Sequence, residues 1–177
     1  PNMRFCEECG YSLLAKECGI EMPETQLFEG KYFGVQRFDR MPNGKLHVVS
    51  VAGLIGADYR LPSIDYAHIF KVCAALTHSV AEMWKVFRLM SFNYLIGNND
   101  DHAKNFAFIY RDGEWHLSPA YDLLPSYGIN GFRTTSINDS IQPTKDDVIA
   151  VAVKAGLNKK EAVEVFDRMQ AIIKRKR

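Results

Sequence analysis

Asn98-Asn99-Asp100-Asp101-His102-Ala103-Lys104-Asn105 sets amide, carboxylate, imidazole and ammonium groups side by side, and Pro119-Ala120-Tyr121-Asp122 follows a short way on. Two strongly apolar segments, Phe92 to Ile96 and Phe106 to Tyr110, enclose the first stretch. Upstream, Ser79-Val80-Ala81-Glu82 has capping-box spacing and opens a helix that carries Met83, Trp84, Phe87, Met90 and Tyr94 to a stop at Gly97. The aromatic and methionine content of that helix reads as core packing. Downstream, Phe106 to Tyr110 and Trp115 to Leu117 flank Arg111-Asp112-Gly113-Glu114, the Asp-Gly signature of a tight hairpin. The polar cluster is thus predicted at a helix C-terminus held against the core, and the hairpin can fold Asp122 back beside it.

Outward from this centre the chain is mainly helical. Asp65 to Leu76 presents Ile69, Val72, Cys73 and Leu76 on one face and is predicted to pack into the core. Near the N-terminus a helix is predicted from about Arg4 to Cys18, with Phe5, Cys9, Leu13 and Leu14 at helical spacing and Gly19 as its stop. Glu8 on that helix reads as a solvated side chain. Short strands are predicted at Thr25 to Glu29 and Tyr32 to Phe38, with Gly30 between them, and at Leu46 to Val51 after a Pro42-Asn43-Gly44 turn. Gly128 to Ser140 reads as a long polar loop that could move or become ordered on binding. Thr144 or Lys145 begins a further helix closed by Gly156, and Asn158 with Glu161 caps the last one. The closing Lys174-Arg175-Lys176-Arg177 reads as a solvated helix end rather than a nucleic-acid patch.

The 177 residues suit one domain or two closely packed lobes. With 47% apolar residues, 24% charged residues and a net charge of +1, the composition is that of a globular protein without a basic field for nucleic acid. No segment is long and apolar enough for a bilayer, and the first residues lack a secretory layout, so a cytoplasmic location is expected. Of the four cysteines, Cys6 and Cys9 form a C-x-x-C pair, but no second pair exists to complete a zinc site. Reduced thiols packed along a helix are the preferred reading.

Asn105 follows Asp100 by five positions. That is the spacing of a phosphoryl-transfer loop in which an Asp orients the attacking hydroxyl and an Asn binds a metal. Asp100 would accept or orient the hydroxyl proton. Asn105 and Asp122 offer hard oxygen ligands for magnesium, which keeps phosphate oxygens as partners. Lys104 could neutralise charge on the transferring group, and His102 could orient Asp100 or contact a phosphate. Asp101 is expected to face solvent, because adjacent carboxylates seldom share one small metal site. Three readings of the loop stay open: phosphoryl transfer, a metal-dependent hydrolase drawing on Asp100, Asp101, His102 and His116 or Asp122, and a helix-terminal turn with local hydrogen bonds.

Asp100-x-His102-x-Lys104-Asn105-Phe106, together with Ala120-Tyr121-Asp122-Leu123-Leu124, resembles the HipA family of bacterial serine/threonine kinases, the toxins of type II toxin–antitoxin modules. Leu14-Ala15-Lys16-Glu17, Gly19-Ile20, Pro23 and Arg37-Phe38-Asp39-Arg40 agree with it. The resemblance implies an α+β, protein-kinase-like fold: a small β-containing remnant of the N-terminal lobe over residues 1–36, and a mostly helical C-terminal lobe over 37–177. It implies Asp100 as the catalytic aspartate, Asn105 and Asp122 on magnesium, and Gln36, Phe38 and Asp39 in the hinge that holds the adenine and ribose of ATP. Glu8 would stand where the family's glutamate supports the ATP-binding lysine. A protein substrate and an antitoxin are the implied partners, with nucleic acid reached only through the antitoxin. The chain departs from the pattern in one respect: neither G-x-G-x-x-G nor G-x-x-x-x-G-K-[ST] occurs in it. The expectation is that these 177 residues alone phosphorylate little or nothing, their partner then being a missing N-terminal segment. A degenerate kinase that serves only as a binding module is the alternative.

Overall fold

Glu7 and Glu8 open the first helix, α1 (Glu7–Glu17), where their charges complement the exposed N–H groups of its first turn. The structure, a computed structural model, describes residues 6–56, 64–128 and 130–176. Arg4 and Phe5, expected at the start of α1, lie outside the described residues, as does Arg177. Leu14 and Ala15 turn into the core, whereas Leu13, expected on the same face, is 49% exposed. Strands β1 (Thr25–Phe28) and β2 (Tyr32–Val35) pair antiparallel around left-handed Glu29 and Gly30. Two short strands, β3 (Arg40–Met41) and β4 (Gly44–Lys45), close over the Pro42-Asn43 turn. Strand β5 (His47–Ser50) leads at once into α2 (Val51–Ile55), a short helix that the alternating pattern of Leu46 to Val51 concealed. The Ser50 hydroxyl caps it by accepting from the Gly53 N–H at 3.1 Å.

After β6 (Ile64–Asp65), Asp65 caps α3 (Tyr66–Thr77) in a box completed by His68. The long α4 (Val80–Ile96) begins at Ser79, whose hydroxyl accepts from the Glu82 N–H, and ends at left-handed Gly97. Beyond it come β7 (Ala107–Arg111), β8 (Glu114–Leu117) and β9 (Thr135–Ser136). The expected hairpin joins β7 and β8 through Asp112 and Gly113, both at positive φ as a tight right-twisted turn requires. Strand β5 adds to the other edge of β7, so the sheet order is β5-β7-β8, while β6 and β9 form a separate parallel pair. The closing helices α5 (Lys145–Lys154) and α6 (Lys159–Lys176) begin at Thr144 and Asn158, as their caps predict.

One hydrophobic cluster joins these parts. Phe87, Met90 and Phe92 of α4, Phe70 and Cys73 of α3, and Phe166, Met169 and Ile173 of α6 are all buried in it, together with Leu14 and Ala15 of α1. Both Cys18 and Cys73 are free and buried, and burial raises each thiol to about 11, so they act as packing groups. Among the described residues no helix is long and apolar enough to cross a membrane.

The Gly128 to Ser140 segment differs from expectation. Arg133, Thr134, Thr135 and Ile137 are buried, and β9 is pinned to β6. Composition misleads here, because the polar side chains of this segment serve buried partners instead of water.

Glu82 shows what holds α4 to the sheet. Its side chain, 6% exposed as a residue, accepts from the Leu117 N–H at 2.8 Å and pairs with Lys85 at 2.9 Å and His116 at 3.4 Å. Burial pushes this carboxyl up, but Lys85, the Leu117 N–H and His116 together outweigh burial and hold it below its ordinary value of 4.5. Glu82→Ala should cost about 1–3 kcal/mol by orphaning a buried N–H, read as a lower urea midpoint. Because the folded value is depressed, the contribution is present above the unfolded value and is lost as pH falls through the folded one. A Glu82→Gln variant should therefore lose part of the wild-type decline in stability below pH 4.5.

Candidate functional site

The loop after α4 is built on Asn98, which is buried behind it. The Asn98 amide donates to Asn93 Oδ1 at 3.1 Å and to the Asp122 carbonyl at 3.4 Å, and its Oδ1 accepts from the Asp100 N–H at 3.1 Å. Asn99 is fastened by its backbone: its N–H donates to the Ser126 carbonyl at 3.1 Å, and its carbonyl accepts from the Thr134 N–H at 2.9 Å. Gly128 fits close by, at φ +65, where a Cβ would stand 2.1 Å from the Phe132 carbonyl oxygen and 2.9 Å from Asn99 Cβ.

Asp101 is where the sequence reading needs correction. The residue expected to face solvent has no exposed surface at all. Its carboxylate accepts from the Tyr66 hydroxyl at 2.7 Å, from the Thr135 N–H at 3.3 Å and from the Arg133 guanidinium in a close ion pair. Arg133 also donates to the Asn98 carbonyl at 3.0 Å and to Asn99 Oδ1 at 3.3 Å. Burial pushes the Asp101 carboxyl upward, opposed by the Arg133 charge and the Tyr66 hydroxyl. Burial and the Asp101 charge drive the Tyr66 hydroxyl well above its ordinary value, so it remains a donor. Sequence reading did not single out Tyr66, Asn93 or Arg133. A charged residue inside a segment taken for a loop was the only signal available.

Turned the other way, Asp100 has a half-exposed side chain, and its Oδ1 lies 3.1 Å from His102 Nε2. The imidazole is 16% exposed and is aimed by its own backbone: the His102 N–H donates to the Asp100 carbonyl at 2.9 Å. A 3-10 turn, Ala103–Asn105, carries Lys104 and Asn105. Lys104 is exposed, and its ammonium makes no hydrogen bond or ion pair among the described residues. The Asn105 amide donates to Asp122 Oδ2 at 3.0 Å and to the Asp100 carbonyl at 3.2 Å. Asp122 itself is left-handed, at φ 58. Asp100, Asn105 and Asp122 are thus brought together across the β7–β8 hairpin, as the spacing suggested. Both protons of the Asn105 amide are spent, which leaves Asn105 Oδ1 and Asp122 Oδ1 without a partner among the described residues. Two hard oxygens suit a small divalent cation that takes its other ligands from phosphate and water.

Beside this cluster a cavity of 280 Å³ is lined by Glu8, Met22, Val35, Tyr121, Asp122 and Leu124 among others. Glu8 is therefore a cavity residue, held below its ordinary value by the Cys6 thiol that donates to it at 2.8 Å. Val35 leads from the cavity to Gln36, which lines an adjoining groove. Phe38 stacks on Tyr121 with ring centres 6.0 Å apart. Asp39 is engaged by Arg37 in two hydrogen bonds, of 2.9 and 2.6 Å, so any ribose hydroxyl would have to compete with a guanidinium.

The ligand set of a hydrolase is not assembled. Asp101 is committed to Arg133, and His116 lies with Glu82. Among the described residues no three His, Cys, Asp or Glu side chains form a metal-holding group.

Comparison with known proteins places these features in a family. The HipA-like C-terminal domain description matches residues 2–176. Two curated relatives are a Sinorhizobium fredii protein named "Putative kinase Y4dM", 32% identical over 90% of this chain and 46% of its own length, and a Haemophilus influenzae protein named "Putative kinase", 32% identical over 63% and 38%. The chain spans less than half the length of these relatives. Among solved structures, HipA of the Shewanella oneidensis toxin–antitoxin system, determined with HipB and operator DNA, superposes with a TM-score of 0.73 at 20% identity, over 95% of this chain and 48% of that one. The Helicobacter pylori proinflammatory kinase CtkA superposes at 0.58 and 13% identity, over 99% and 83%. These likenesses establish an α+β, kinase-like fold.

Proposed function

This chain belongs to the HipA-like C-terminal domain family, and from that premise we propose that it is the lobe of a kinase that transfers phosphate from magnesium-ATP to a serine or threonine of a protein. The convergence of Asp100, Asn105 and Asp122 through the two hydrogen bonds of the Asn105 amide carries this reading. Asp100, steadied by His102, accepts the proton of the attacking hydroxyl and orients its oxygen. Asn105 and Asp122 would hold magnesium, which when bound neutralises charge on the phosphates. Lys104 presents a free ammonium beside them to the transferring group. Gln36, in the groove that adjoins the cavity, and Phe38, stacked on Tyr121 of the cavity wall, would with Asp39 hold the nucleoside.

The finer points belong to the same proposal. A division at residue 36 separates the small-lobe remnant from the helical lobe. Activity is assigned to the whole gene product, because no phosphate-loop pattern occurs in these residues and they span only 46% of the Y4dM relative. The partners are a protein substrate and, by analogy with the HipA–HipB complex, an antitoxin that brings any contact with DNA. The cytoplasm is the compartment in which such a kinase would meet ATP. A non-catalytic binding module remains the second reading, favoured by the engagement of Asp39 with Arg37.

Calorimetric titration with a non-hydrolysable ATP analogue, with and without magnesium, tests the proposal. The wild type should bind in a magnesium-dependent way. Asp122→Asn should weaken that binding by about tenfold or more, the size of a lost charged contact. Folded protein that binds no nucleotide, or binds it without regard to magnesium, would contradict the reading.

A further inference from the structure

Asn105 and Asp122 can share one cation only if two separate loops are held in register. The β7–β8 ladder runs from Arg111↔Glu114 to Phe108↔Leu117, and the Ser118 N–H extends it by donating to the Ala107 carbonyl at 2.9 Å. There the backbone pairing ends. Continuing the same register three residues further brings Lys104 opposite Tyr121, and at that position a side chain replaces the missing backbone bond: the Tyr121 hydroxyl donates to the Lys104 carbonyl at 2.8 Å. Asn105 and Asp122, which follow Lys104 and Tyr121 in the sequence, then meet through the Asn105 amide.

We propose that Tyr121 is a positioning residue, whose hydroxyl on the Lys104 carbonyl aligns the catalytic turn with Asp122 so that Asn105 and Asp122 act on one cation. This inference rests on the kinase reading above. Lys104 sits in the 3-10 turn, where a terminal carbonyl has no partner of its own and an outside donor fixes its height. Asp122 is held left-handed, a conformation that a non-glycine residue keeps only when its neighbours enforce it. The Asn98 amide grips its carbonyl from behind, and the Tyr121 bond ties the preceding residue from the front. The ring acts independently of the hydroxyl, stacking on Phe38 and walling the cavity.

Ring and hydroxyl can therefore be separated by experiment. Wild type, Tyr121→Phe and Tyr121→Leu are titrated with the ATP analogue in the absence and presence of magnesium, and amide exchange is followed at Asn105 and Phe106. Tyr121→Phe should keep its metal-free affinity within about twofold, lose about fivefold or more of the gain that magnesium gives, and exchange faster at those amides, in line with one lost hydrogen bond. Tyr121→Leu should weaken binding in both conditions. A magnesium gain in Tyr121→Phe equal to that of the wild type would overturn the inference and leave the kinase reading intact. Absence of any magnesium gain in the wild type would remove both. Unfolding of Tyr121→Phe would assign the hydroxyl to stability instead of alignment, and would also overturn the inference.

Discussion

Asp101→Asn is expected to destabilise the protein by about 3–5 kcal/mol, the largest stability effect of any single substitution in the loop. The change alters no volume. It leaves the Arg133 guanidinium, 5% exposed, without its counter-charge in a site closed to water. The Tyr66 hydroxyl donates to Oδ2 and the Thr135 N–H to Oδ1, so the amide, with one oxygen, also turns its NH2 on one of these donors and adds to the loss of the charge pair. Three parts of the chain meet at this carboxylate: the start of α3, the loop after α4, and the segment around β9. Their release should therefore be cooperative, lowering Tm and exposing 133–137 to proteolysis together. A second substitution, Arg133→Met, placed on Asp101→Asn should recover part of the loss, because an apolar pair avoids the desolvation that the ion pair must overcome. A loss below about 1 kcal/mol for Asp101→Asn would show that the pair contributes no more than a surface bridge.

Asp100→Asn should have the opposite profile. In the full gene product, phosphate transfer to protein should fall by about 10²–10⁴-fold, the range of a lost general base, while stability and nucleotide affinity stay near wild type. Asp100 is half exposed and its one side-chain partner among the described residues is His102, so the amide fits the space and strands no buried group. A phosphotransfer assay run beside the calorimetric titration separates the two effects. If the biological effect of the protein survives Asp100→Asn unchanged, the binding-module reading takes over.

The neighbouring aspartates differ so much because of where the chain turns. The spacing to Asn105 marks Asp100 for chemistry, whereas nothing local to Asp101 shows that its partners are Tyr66 and Arg133. The structure leaves Asp100 half exposed and removes Asp101 from solvent completely.

Local chemistry in the sequence determined much of this protein. The caps at Ser79, Thr144 and Asn158, the stop at Gly97 and the Asp112-Gly113 turn each act through bonds within a few residues, so helices α4 to α6 and the β7–β8 hairpin could be placed from the sequence. The same hairpin made the meeting of Asp100, Asn105 and Asp122 legible, because a tight turn fixes register over the distance between them. Tertiary structure decided what depends on partners far apart in the chain. Tyr66, Asp101 and Arg133 acquire their roles only when three separate segments close around one carboxylate, and no periodicity records such a contact. Their burial turned an expected open loop into a fixed support, since a charge removed from water must find its counter-charge wherever the fold brings it.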